Sequence, residues 1–65
     1  MTLTEAYEQG LRCGYIEGRA RGDLGEPLIK LSHEAAGNQN LDDEDLTREW
    51  ARGYRSGYVA RSLEA

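Results

Sequence analysis

The chain has 65 residues, one cysteine and a formal charge of −4 from twelve acidic and eight basic residues. A chain of this length forms one domain at most, its core seldom supplies more than about 3–5 kcal/mol of net stability, and a single cysteine excludes an internal disulfide. The acidic balance disfavours direct DNA binding, and no apolar run approaches the ~18 residues of a membrane span or the core of a signal peptide. We therefore expect a single-domain protein of the reducing bacterial cytoplasm, without membrane contact.

The two ends of the chain are copies of one segment, related by a shift of 43 positions. "QGLRCGY" at residues 9–15 is similar to "RGYRSGY" at residues 52–58. Apolar and small residues recur at helical spacing in both copies, so the repeat predicts two similar amphipathic helices at about residues 3–20 and 42–62. The matched residues on one face are Leu3 with Leu46, Tyr7 with Trp50, Gly10 with Gly53, and Gly14 with Gly57.

Both predicted helices have candidate N-terminal caps. Thr2 and Glu5 have the spacing of a capping box. Asn40 or Asp42 is positioned to accept the free amides at the start of the second copy.

Four glycines occupy the inner stripe of the two predicted helices: Gly10, Gly14, Gly53 and Gly57. Each costs about 1 kcal/mol relative to alanine in a helix interior. We expect close backbone approach to offset this cost, with Tyr7, Trp50, Tyr15 and Tyr58 packing over the gap. The alternative is that the glycines expose backbone to a partner.

The connector contains a third, shorter element. Gly22 and Gly25 are stop signals, and Pro27 suits a first helical turn. A helix at about residues 27–36, ended by Gly37 and Asn38, would have Leu28, Leu31 and Ala35 on its inner face. A short strand at "PLIKL" is the alternative. The predicted fold is all-α: a small helical hairpin of two duplicated helices with a short connecting helix or strand.

No candidate catalytic or metal site emerges from the sequence. Cys13 is the only thiol, and its counterpart in the repeat is Ser56, which indicates a packing position for a small residue. His33 is the only histidine, so a metal set would lack a second imidazole. We expect no enzyme activity, no metal and no cofactor.

An acidic block precedes the last helix. Asp42, Asp43, Glu44 and Asp45 are consecutive, and Glu49 follows one turn later. Acidic residues suit the first turn of a helix, which explains part of the block. As a functional hypothesis, the carboxylates imitate a run of phosphates and bind a basic surface of another protein, with Glu5 and Glu8 extending the contact.

A stripe of basic residues offers a second candidate surface. Arg48, Arg52 and Arg55 recur at helical spacing in the last segment, beside Tyr54. They either neutralise the acidic block or form a separate contact, such as one with RNA.

At "ARGYRSGYVARS" the chain resembles the ribosome modulation factor family, which includes CrpP-type small proteins. The resemblance rests on Arg52, Gly53, Tyr54, Gly57, Arg61 and Ser62, covers about forty residues, and implies two helices with a connector and binding to ribosomal RNA. This chain differs from that family in being acidic and in lacking its Cys-Pro-Tyr connector motif. By size and charge alone it is also similar to phage anti-CRISPR proteins.

The leading interpretation is a non-enzymatic interaction protein, an anti-CRISPR-like inhibitor from a phage or mobile element. It would occupy a basic, nucleic-acid-binding surface of a protein complex by charge mimicry, as a monomer or weak dimer. The alternative is a ribosome-modulation-type factor that binds RNA through the arginine stripe.

Overall fold

The computed structural model describes the backbone of residues 1–21 and 24–64, and the side chains of residues 1–18 and 24–64. Three helices form: α1 (Leu3–Arg21), α2 (Glu26–Gly37) and α3 (Glu44–Ser62). The described residues contain no strand, so the prediction of an all-α fold with a connecting helix is confirmed, and "PLIKL" is helical. The predicted stop at Gly22 lies outside the described residues. None of the helices described is both long and apolar enough to cross a membrane.

The capping box at the start of α1 is confirmed. The Thr2 backbone amide donates to Glu5 Oε1 at 2.8 Å, and the Glu5 amide donates to Thr2 Oγ1 at 3.1 Å. These two reciprocal bonds satisfy amides that the first turn would otherwise leave without a partner.

The prediction that Asn40 or Asp42 caps α3 is wrong, because the cap is Asp43. Asp43 has the extended backbone conformation of an N-cap residue (φ −121°, ψ 132°), and its carboxylate accepts from the Asp45 amide at 2.7 Å. Asn40 has φ 53°, which places it in the turn that precedes the cap.

Helices α1 and α3 run parallel to each other. A Cβ atom on Gly10 would overlap the Trp50 carbonyl, and one on Gly14 would overlap the Tyr54 carbonyl four residues further along α3. Moving one turn toward the C-terminus of α1 therefore moves the contact one turn toward the C-terminus of α3. Helix α2 makes this possible, because its 12 residues rise about 18 Å and return the chain toward the start of α3.

The packing of α1 on α3 has an internal two-fold symmetry that matches the repeat. On the α3 side, a Cβ on Gly53 would overlap the Tyr7 carbonyl, and one on Gly57 the Leu11 carbonyl. With the shift of 43 positions, the contact of Gly53 with Tyr7 is the counterpart of that of Gly10 with Trp50. The two copies are therefore arranged like the two subunits of a symmetric dimer.

The predicted close approach at the four glycines is confirmed. All four are buried, and each points its Cα–H at a carbonyl of the other helix. Contacts of this kind are worth about 0.5–1 kcal/mol each, so four of them offset much of the about 4 kcal/mol of lost helix propensity. Gly18, which is not among the four glycines of the predicted stripe, continues it, since a Cβ at this position would lie 2.8 Å from the Tyr58 carbonyl oxygen.

Helix α2 covers a row of aromatic residues on α3. Trp50, Tyr54 and Tyr58 are at most 1% exposed, with ring centroids 5.6 Å apart for the first pair and 6.0 Å for the second. The buried residues of α2 are Leu28, Ser32 and Ala36.

The prediction of Leu28, Leu31 and Ala35 as the inner face of α2 is confirmed, since Leu28 is buried and the half-buried Leu31 and Ala35 pack against the core. The prediction omits Ser32 and Ala36, which are also buried. Ser32 is tolerated inside because its hydroxyl donates to the Ile29 carbonyl at 2.7 Å and accepts from Arg55 Nη1 at 3.0 Å.

The prediction that all four aromatic residues close over the gap holds for Trp50 and Tyr58 only. Tyr7 is half-buried and Tyr15 is 37% exposed, because α2 covers α3 and leaves their face of α1 open. Guanidinium groups from α3 partly shield both rings: Arg52 lies 4.9 Å from the Tyr7 centroid and Arg61 lies 4.8 Å from that of Tyr15.

Candidate functional site

The parallel arrangement brings the N-terminal ends of α1 and α3 to the same end of the molecule. The glycine contacts set residue i of α1 level with residue i+43 of α3, so Glu5 and Glu8 lie level with residues 48 and 51. Residues 1–9 and 42–52 together contain seven carboxylates and two arginines. We call these seven residues the acidic pole: Glu5, Glu8, Asp42, Asp43, Glu44, Asp45 and Glu49.

Charge is distributed unevenly along the long axis of the molecule, which measures 35 Å. Among the described side chains, residues 12–18 and 55–64 contain three arginines and two glutamates, so the excess of negative charge is confined to the acidic pole. The two ends are farther apart than the Debye length of about 8 Å at physiological ionic strength. The charges of the far end are therefore largely screened for a partner that approaches the pole.

Part of the acidic pole serves the start of α3. Asp43 caps the helix, and Asp45 lies 3.6 Å from Arg48 in an ion pair in which both side chains are about 70% exposed. An exposed pair of this kind is worth about 0–1 kcal/mol, so Asp45 can exchange Arg48 for another cation at little cost.

Glu49 is more firmly engaged. Its Oε1 lies 3.2 Å from Arg52 Nη2 and accepts a hydrogen bond from Arg52 Nε at 3.3 Å, and its side chain is only 27% exposed. The Arg52 guanidinium also lies over the Tyr7 ring. Glu49 thus connects α3 to α1 through Arg52, and is the least accessible member of the pole.

Three carboxylates of the pole are exposed and make no ion pair or hydrogen bond within the described part of the chain: Glu8, Asp42 and Glu44. Glu5 is also exposed, and its hydrogen bonds with Thr2 lower the pKa of its carboxyl group. The pole is therefore a charged surface with little burial, suited to binding a cation-rich surface.

The arginine stripe predicted for RNA lies partly on the surface: the side chains of Arg48 and Arg52 are 70% and 61% exposed, and Arg55 is half-buried. Arg48 and Arg52 are paired with carboxylates, and Arg55 is half-buried and bonded to Ser32. Tyr54, the remaining member of the alternative RNA surface, is completely buried, so it cannot reach a nucleobase. Its assignment to an RNA surface is wrong because position 54 follows Trp50 by one helical turn and shares its buried face.

Cys13 and His33 are not brought together by the fold into a catalytic arrangement. Burial and the neighbouring Glu17 carboxylate raise the pKa of the half-buried Cys13 thiol, which disfavours the thiolate required for nucleophilic attack. His33 is exposed on α2. Among the described residues, no group of histidine, cysteine and acidic side chains has the geometry to hold a metal ion.

Sequence reasoning identified the members of the acidic pole but not that they share one end of the molecule. The constant shift of 43 shows that the two helices are copies, but it does not show whether they pack in parallel or antiparallel orientation. No protein-family model matches this chain, and neither a curated protein nor a solved structure shows significant similarity to it.

Proposed function

We propose that the protein is a non-enzymatic inhibitor that binds, through its acidic pole, a basic nucleic-acid-binding surface of a protein complex, in the manner of the anti-CRISPR proteins it is similar to in size and charge. The observation that supports this proposal is the collection of seven carboxylates from two separate segments at one end of a parallel helix pair.

Charge mimicry fits the chemistry of that end. Carboxylates spread around two adjacent helix starts present negative charge over a surface, as a nucleic-acid backbone does, and steer a basic partner by long-range attraction. The pole also needs little rearrangement for binding, because its fixed members hold the helix starts while Glu8, Asp42 and Glu44 point to solvent.

The alternative is a ribosome-modulation-type factor, favoured by the match at Arg52, Gly53 and Gly57. In the structure the two glycines serve helix packing, and Arg52 is bound to Glu49. This use of the motif residues inside the fold is why we rank RNA binding second. Co-sedimentation with ribosomes that disappears on replacing Arg52 and Arg55 by alanine would reverse the ranking.

The proposal is tested by affinity capture and displacement. The immobilised chain is incubated with a bacterial lysate, and captured proteins are eluted with a short DNA duplex or RNA at constant ionic strength. We expect elution of a nucleic-acid-binding protein, because the nucleic acid and the acidic pole compete for one surface.

The charge requirement is then measured on the captured protein. The double variant Asp42→Asn and Glu44→Gln should associate about tenfold more slowly at low salt, with a flatter salt dependence. The matched control, Glu26→Gln with Glu34→Gln, removes the same charge from exposed positions on α2 and should behave as wild type. Equal effects of the two double variants, or capture that nucleic acid does not reverse, would refute charge mimicry.

A further inference from the structure

The internal symmetry shows that one face of α1 lacks the cover that its counterpart on α3 has. The row Trp50, Tyr54 and Tyr58 is buried under α2, and the shift of 43 relates it to Tyr7, Leu11 and Tyr15. We call these three α1 residues the open row. Leu11 and Tyr15 are each 37% exposed, and no helix of the described chain lies over them as α2 lies over α3.

The rim of the open row contains one acid and one base. Glu8 and Arg12 lie one turn apart along the same side of the row, and both are exposed. Within the described residues, neither forms an ion pair or a hydrogen bond. On α3, the position equivalent to Arg12 is Arg55, which donates to Ser32 of α2, and the position equivalent to Glu8 is Ala51, which is buried.

We propose that the open row is the interface of a symmetric homodimer in which the two α1 helices pack antiparallel about Leu11. A two-fold axis at Leu11 places Tyr7 beside Tyr15 of the partner subunit, because both lie about 6 Å from Leu11 along the helix axis. The same axis places Glu8 within about 3 Å, measured along the helix axis, of the partner's Arg12. Two ion pairs therefore form at the rim, each between Glu8 of one subunit and Arg12 of the other.

This pattern fits a second copy better than a different helix. A partner helix with only acidic residues would repel Glu8, and one with only basic residues would repel Arg12. The antiparallel copy places an opposite charge beside each of the two residues. Ser56, which follows Arg52 by one turn on α3, is small and exposed beside this face, so it leaves room for the partner's α3. The dimer contact and the acidic pole share Glu8, so in the dimer the pole retains its other six carboxylates, among them Asp42 and Glu44.

The full-length chain is examined by sedimentation equilibrium between about 5 μM and 1 mM. We expect the mass to rise with concentration from 7.3 kDa toward twice that value. Glu8→Arg should raise the dimer dissociation constant at least about tenfold, because it sets two arginines against each other, and Arg12→Glu should do the same with two glutamates. The variant with both substitutions restores opposite charges, and its dissociation constant should return to within about threefold of wild type.

Ile29→Ser is the matched control, since Ile29 is 47% exposed on α2, away from the open row, and should not affect association. As an independent measurement, Leu11→Cys in a Cys13→Ser background should form a disulfide-linked dimer on mild oxidation, whereas Ile29→Cys should not. A 7.3 kDa mass over the whole concentration range would overturn the proposal. So would single charge reversals that the double reversal does not rescue, or equal cross-linking at positions 11 and 29.

Discussion

Replacing Gly14 by alanine should destabilise the fold, although alanine is the better helix former. A Cβ at this position would lie 2.7 Å from the Tyr54 carbonyl carbon and 2.9 Å from its Cα, in addition to overlapping the carbonyl oxygen. These are backbone atoms, so relief requires α1 and α3 to move apart by about 1 Å or more, which weakens the other glycine contacts. Overpacking of this kind costs about 1–3 kcal/mol, and we expect the upper end of that range because the obstacle is rigid.

The gain of about 1 kcal/mol in helix propensity opposes this cost, so the net loss should be about 2 kcal/mol of unfolding free energy. For a domain of this size, that corresponds to a fall in melting temperature of about 8–16 °C, measured by circular dichroism. The matched control is Gly37→Ala, because nothing lies within 4 Å of the added Cβ, and its melting temperature should stay the same or rise. A Gly14→Ala variant at least as stable as wild type would refute the close packing of α1 on α3.

Three further predictions concern caps and titration. Asp43→Ala should lower the unfolding free energy by about 1 kcal/mol in urea melts while Asp43→Asn keeps the cap; equal losses would argue against capping. Because hydrogen bonds with Thr2 lower the pKa of Glu5 below 4.5, its carboxylate stabilises the fold above pH 4.5, and this contribution disappears as the pH falls through the folded-state pKa. The stability difference between wild type and Glu5→Gln should therefore shrink in acid, and a constant difference from pH 7 to 3 would contradict this. Cys13 should react with iodoacetamide at pH 7.5 more slowly than in the urea-unfolded chain, because its pKa is raised; equal rates would exclude that protection.

The sequence was sufficient to predict the helices and the role of the glycines, because both depend on local spacing and on the repeat. It was not sufficient for helix direction. A Gly-xxx-Gly stripe can face its copy in parallel or antiparallel orientation, and the deciding factor is the connector. Helix α2, between Glu26 and Gly37, packs on α3 and returns the chain toward the start of that helix, and this makes the parallel arrangement possible.

Two side-chain positions are not captured by helical spacing alone. Ser32 is absent from the predicted inner face of α2, yet Arg55 from another helix satisfies its hydroxyl and allows its burial. Tyr54 was placed beside the arginines because they are neighbours in the sequence, but Tyr54 shares the face of Trp50 and packs against α2. The members of the acidic pole were predicted from the sequence, but it is the direction of the helices that brings them to one end of the molecule as a candidate site.

The parallel packing of α1 and α3, on which the acidic pole depends, is tested most directly by spin-label distances. Labels are placed at Thr4 with Arg48, and in a second sample at Thr4 with Ala60, in a Cys13→Ser background. These three positions are exposed; Thr4 lies level with residue 47, whereas Ala60 lies about 20 Å further along the axis. We predict a clearly shorter distance for the Thr4 and Arg48 pair. A shorter distance for the Thr4 and Ala60 pair would show antiparallel helices and would contradict the account of the site.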